Sequence, residues 1–197
     1  MYGLTHLDHA SFQSKLISVC SRILKMDEQG NFGQRSIFVS KYRQLFEGFN
    51  LEMGTPFDSI VKHPLRYQIN RAAQSASITI PALFPNISLY IPGKFSLFRF
   101  IAFLGIVPDM KYQTALNKYQ PVNAAVQLKC VAFYTEWFHI SAICNQQILQ
   151  IQIQEETGIS DNDSFLLSIG IEFGIPLTSS VIQSVNYAGA AKILALA

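Results

Sequence analysis

Hydrophobic and polar positions follow two rhythms along this chain. One is confined to the beginning, and the other runs through most of the remainder. Between residues 12 and 25, Phe12, Leu16, Ile17, Val19, Cys20, Ile23 and Leu24 fall in one arc of roughly 160° on a helical wheel. Ser14, Lys15, Ser18, Ser21, Arg22 and Lys25 fill the opposite side. This predicts an amphipathic helix, capped by Asp8 or Ser11 and ended by the turn-rich run Asp27-Glu28-Gln29-Gly30-Asn31. Its apolar stripe has two roles open to it. It can cover one face of a sheet, or Phe12, Leu16, Val19 and Ile23 can form an interface with another copy. Membrane-surface docking is disfavoured, because the polar face holds three cations and no Trp.

From about residue 59 the period becomes two. Leu65, Tyr67 and Ile69 alternate with Arg66, Gln68 and Asn70, and Ala76, Ile78 and Ile80 alternate with Ser77 and Thr79. A short polar loop between them predicts a hairpin with one wet face. Pro81, Pro85 and Pro92 exclude a long helix there. Phe95 to Val107 is apolar at nearly every position and predicts a strand buried on both faces, stopped by Pro108-Asp109. Further alternation marks Val126 to Cys130, Leu149 to Ile153 and Leu167 to Phe173. The stretch from Val131 to Trp137 stays β-rich, and Ile193 to Leu196 could close a sheet. Residues 33–57 read as irregular or extended. The prediction is a mainly β fold: an antiparallel sandwich of about seven to nine strands with one N-terminal amphipathic helix. Residues 1–30 form the helix and turn, and 31–197 the sandwich.

Composition points to a large core or an extensive interface. Apolar residues make up 49% of the 197 and charged residues 14%, against about 25% charged in ordinary soluble domains. Residues 1–118 carry 13 Lys/Arg and 7 Asp/Glu, whereas residues 119–197 carry 2 and 6. A basic front and an acidic back can pair within one copy or between copies. The cysteines Cys20, Cys130 and Cys144 are odd in number and scattered, which predicts buried free thiols and no disulfide framework. The first 25 residues hold Asp8, Lys15, Arg22 and Lys25 and lack the apolar core of a secretion signal. No apolar run reaches the roughly 20 residues of a membrane span. The expected location is the cytoplasm.

Several phrases recur together in one group of proteins. They are Ile23-Leu24-Lys25-Met26-Asp27, Gly33-Gln34-Arg35, Leu45-Phe46-Glu47-Gly48-Phe49-Asn50 and Tyr67-Gln68-Ile69-Asn70-Arg71. Ser77-Ile78-Thr79-Ile80-Pro81-Ala82, Leu166 to Phe173 and Asn186-Tyr187-Ala188-Gly189-Ala190 complete the set. On these the chain resembles a family of small uncharacterised proteins from Bacteroidetes-type bacteria, with residues 95–160 departing most. The resemblance implies a helix followed by a β-rich body, and implies no activity.

Candidate chemistry is sparse. His6 and His9 lie at helical spacing for one metal but lack a third ligand nearby. Asp161-Asn162-Asp163 beside Glu155-Glu156 resembles part of a calcium loop without its glycine and downstream Glu, and reads as a solvated acidic turn. Cys130 or Cys144 with His139 would make a thiol dyad only if a third group oriented the base. No Gly-x-Ser-x-Gly elbow, Walker loop or dinucleotide fingerprint is present. Lys41, Arg43, Lys62, Arg66, Arg71, Lys94 and Arg99, near Tyr42 and Tyr67, form no dense basic run. That argues against nucleic acid as a partner. Phe133, Tyr134 and Trp137 form the densest aromatic cluster, suited to a core or to a ligand platform. No catalytic, cofactor-binding or metal-ligating set is therefore expected, and no cofactor. Two functions remain. One is a non-enzymatic structural protein that associates with itself. The other is a monomeric ligand-binding sandwich, with carbohydrate a possible ligand.

Overall fold

The computed structural model describes residues 10–51, 55–125, 129–154, 158–178 and 181–197, the side chains of 10–13, 186 and 187 excepted. Helix α1 (Ala10–Lys25) comes first and a single-turn helix α2 (Phe57–Ile60) follows. The strands are β1 (Arg66–Asn70), β2 (Ser75–Ile80), β3 (Leu97–Pro108), β4 (Met110–Gln113) and β5 (Lys118–Pro121). After them come β6 (Cys130–Tyr134), β7 (Phe138–His139), β8 (Gln147–Gln152), β9 (Asp163–Pro176) and β10 (Ile182–Leu196).

The both-faces-apolar run becomes β3, the inner strand of the larger sheet, ordered β10-β9-β3-β6 with β7 also on β3. A smaller sheet is ordered β1-β2-β8, and β4 pairs with β5 as a separate hairpin. Every strand pairing is antiparallel. Alternation then divides the core. Phe98, Phe100, Ala102, Leu104 and Ile106 of β3 join Phe165, Leu167, Ile169, Ile171 and Phe173 of β9 in a cluster with Ala76, Ile78 and Ile80 of β2 and Leu149 and Ile151 of β8. This is the interior of a two-sheet sandwich, in which each fully buried Leu, Ile or Phe contributes about 1.5–3 kcal/mol.

The other face of β3 gives Ile101 and Phe103, which gather with Leu166, Ala191, Ile193 and Leu196 in a second cluster. Ile23 of α1 is buried there, with Leu16 and Val19 packed against it. The helix is thus laid on the outer face of the larger sheet along a narrow i, i+3, i+7 stripe. Ile17, inside the predicted apolar arc, lies on its flank and is 64% exposed. The chain leaves α1 through a turn closed by Asp27, whose carboxylate accepts the backbone N–H of Ser36 at 2.7 Å and of Gln29 at 3.1 Å. The Ser36 N–H is the chief reason that this carboxyl is held below its usual range.

Several expectations need revision. Cys130 is exposed, because β6 sits at the sheet margin and its burial is incomplete at every position. Only Cys144 is a fully buried thiol, pushed by burial up to about 11. Asp163 is not on a solvated turn but wholly buried. Its Oδ2 accepts the Ser160 N–H and O–H and the Asn123 amide, each within 2.8 Å. The β4–β5 hairpin, turned through Asn117 at φ 51°, had no counterpart in the sequence reading. Val126 to Leu128, His6, His9, Asp8, Glu155 and Glu156 lie outside the described residues.

Candidate functional site

Two charges flanked by apolar residues in the larger sheet meet each other. Arg99 of β3 stands directly opposite Glu172 of β9, and the guanidinium Nε donates to a Glu172 carboxylate oxygen. Glu172 is 1% exposed, and a buried carboxylate requires compensation of this kind. The second carboxylate oxygen accepts the Ser184 hydroxyl from β10 at 3.1 Å. The Arg99 guanidinium lies 4.6 Å from the Tyr134 ring centroid and 4.5 Å from that of Trp137. Two aromatic faces thus flank one cation. Trp137 is brought close by a glycine. A Cβ on Gly174 would come within 2.7 Å of the indole and of Ile182 Cγ2.

This arrangement divides the predicted aromatic platform. Tyr134 pairs with Ile101 and lies on the outer face of the larger sheet with Trp137 and Arg99. Phe133 pairs with Ala102, whose side chain is in the sandwich core, so its ring is on the opposite face. The three rings are not one platform, and the two that converge hold an arginine between them. Arg99 and Glu172 also bring the basic front and the acidic back together inside one copy.

The candidate interface residues Leu16, Val19 and Ile23 face the chain's own sheet, and the Phe12 side chain lies outside the described residues. Exposed apolar side chains gather elsewhere. The end of the sandwich at which β3 begins, β2 finishes and β9 turns into β10 bears Phe84, Ile87, Tyr90, Ile143, Leu177 and Val181, between 41% and 73% exposed. The segments at this end, residues 61–65, 81–96, 135–146, 174–178 and 181–182, carry only Lys62, Lys94 and Glu136 as formal charges.

The opposite end is polar and heavily cross-bonded, although Asp163 Oδ1 is buried without a hydrogen-bond partner among the described residues. Arg71 donates to the backbone carbonyls of Asp163, Ala197 and Ser160 at 2.6–3.0 Å. Arg43 donates to the Ser164 hydroxyl at 3.1 Å. Asp109, also buried, accepts the N–H and O–H of Ser40. Three members of the basic front, Arg43, Arg71 and Arg99, are thus committed to partners within the chain. His139 Nδ1 lies 2.8 Å from the Ser141 hydroxyl. Among the described residues, no group of three or more His, Cys, Asp or Glu could hold a metal ion, and no helix is long and apolar enough to cross a membrane.

The outer face of the smaller sheet is a grid. Register places Ser77 between Gln68 and Gln150, and Ser75 between Asn70 and Gln152. These rows line a shallow depression of about 540 Å³. They carry amides and hydroxyls and no ionisable group.

Fold and surface together define a two-sheet antiparallel β-sandwich with a helix over one outer face, apolar at one end and tied by buried polar bonds at the other. No family model, no curated protein and no solved structure matches the chain.

Proposed function

We propose that this chain is a non-enzymatic structural protein that associates with copies of itself. The observation that carries the reading is the end bearing Phe84, Ile87, Tyr90, Ile143, Leu177 and Val181 on loops nearly free of charge. Exposed apolar groups scattered singly are ordinary, whereas a concentration on one region marks an association surface. The scarcity of charge over the whole chain supports the same reading. α1 is not the surface proposed, since its stripe is spent on the sheet.

The test is the mass of the purified protein by light scattering, beside the double variant Ile87→Glu/Leu177→Glu. Both side chains are exposed, at 73% and 60%, so the variant keeps its fold by circular dichroism. Assembly in the parent and loss of mass in the variant is the expected result. A parent that stays at 22.1 kDa at all concentrations removes the reading. The second reading, a monomeric binding module, would then move from the divided aromatics to the amide–hydroxyl grid. Neutral groups that both donate and accept suit a neutral hydroxyl-rich ligand such as carbohydrate.

A further inference from the structure

A different part of the molecule carries a second contact. We propose that strand β1 pairs antiparallel with β1 of a second copy, about a two-fold axis through Gln68, joining two three-stranded sheets into one of six. This rests on the self-association reading for the chain's being an assembly at all, but on none of the residues that carry that reading.

β1 is the edge of the smaller sheet. Among the described residues, no backbone group beyond β2 pairs with residues 66–70. Open edges are usually guarded by a bulge, a proline, a lysine or an inward charge. β1 is short and carries one charge, Arg66 at its first position, but has no bulge, proline, lysine or inward charge. Its five residues pair with β2 without a register shift, and its sequence Arg-Tyr-Gln-Ile-Asn puts its one charge on the solvent face. On the inner face Tyr67 is 45% exposed, beside a partly buried Ile69 that packs on the main core. That half-bare ring lies where a further strand would continue the core.

The sequence also selects the register. Antiparallel self-pairing about Gln68 matches all five residues. It sets Tyr67 against the partner's Ile69 on the inner face, twice by symmetry, an aromatic against a β-branched side chain. On the outer face Arg66 meets the partner's Asn70, and Gln68 meets its own copy. Centring on Tyr67 or Ile69 would match only three of the five strand residues, centring on Arg66 would oppose two like charges, and centring on Asn70 would push half of each strand against a turn. A half-residue shift would put inner side chains opposite outer ones. In the chosen register the row Gln150-Ser77-Gln68 continues into the same row of the other copy, amide beside amide.

The experiment is cysteine cross-linking of the full chain in a Cys130→Ser background, because Cys130 is exposed. Gln68→Cys is expected to link to itself under mild oxidation, since opposed residues in antiparallel strands approach within disulfide reach. Arg66→Cys and Asn70→Cys are expected to link only when the two variants are mixed. Gln68→Lys, at an exposed position, is expected to fold normally and to lose mass by light scattering, with two ammonium groups opposed at the axis. An assembled parent with no preference for position 68, and with Gln68→Lys unchanged in mass, overturns this contact and leaves the self-association reading standing. A parent that is monomeric throughout overturns both.

Discussion

Arg99 sits in the most apolar strand of the protein, where an unpaired charge would be costly, and its position is explained by the residue facing it. Glu172 is buried and takes one bond from Arg99 and one from Ser184. Burial of such a pair gives little net stability compared with apolar residues of similar volume, but breaking it by removing one partner costs about 3–5 kcal/mol. Arg99→Ala is therefore expected to destabilise by that order, the more so because Tyr134 and Trp137 lose the group between them. The double variant Arg99→Met/Glu172→Leu is expected to recover most of the loss. Urea unfolding followed by the fluorescence of Trp137, the sole tryptophan, measures both. If the double variant were as unstable as the single, the ion pair would not be the unit that matters there. Arg99 and Glu172 are individually visible in the sequence as a base and an acid flanked by apolar residues in two strands. Their pairing is not, because strand register is a long-range property that periodicity alone does not fix. The aromatic cluster failed in the same way. Phe133 and Tyr134 are neighbours in sequence, and for that reason they stand on opposite faces of a strand.

At the scale of elements, α1 shows how far amphipathicity can be pressed. The wheel identified the helix and its apolar side, but it could not choose between a sheet and a second copy as the surface that side covers. Ile23 is 1% exposed in the second core and Ile17 is 64% exposed, although both were assigned to one stripe. A sheet is nearly flat, so it contacts a strip of the helix along i, i+3, i+7 and leaves the flanks wet. Ile23→Ala is expected to cost about 2–4 kcal/mol in transfer and cavity terms, and Ile17→Ser to stay within about 0.5 kcal/mol, both by chemical denaturation. Equal costs would mean that the helix is not seated as described. Strands with clean alternation or unbroken apolarity were legible, β1, β2, β3, β8 and β9 among them. The β4–β5 hairpin was not, since Met110 to Gln113 and Lys118 to Pro121 are short, half-buried at best and without an apolar rhythm. Asp163 misled for a related reason. The run Asp-Asn-Asp reads as solvent-facing, yet Ser160 nearby and Asn123 from 40 residues away together make Asp163 a buried acceptor.

For the whole molecule, the uneven charge along the chain invites an electrostatic account of assembly, and the fold removes much of its basis. Arg99 meets Glu172 within one copy, and Arg71 is spent on the backbone carbonyls of Ser160, Asp163 and Ala197 in the same copy. The two charge-biased segments are not two lobes. β3 from the basic part lies between β9 and β6 from the acidic part, so the signs interleave across one sheet. The surfaces proposed for association carry little charge: one end with only Lys62, Lys94 and Glu136 as formal charges, and an edge strand whose single Arg66 meets an amide. Contacts of that kind strengthen slightly or hold as salt rises, whereas complementary charged faces weaken once the screening length falls to about 3 Å near 1 M salt. The mass by light scattering is therefore expected to stay level or increase from low salt to about 1 M. Because the two proposed contacts lie on different parts of the chain, each variant alone should leave a smaller assembly held by the other. Combining Ile87→Glu/Leu177→Glu with Gln68→Lys should reach the monomer. Particles that come apart with salt alone would instead show charge pairing between copies, and would require unpaired acidic and basic surfaces facing one another across the interface.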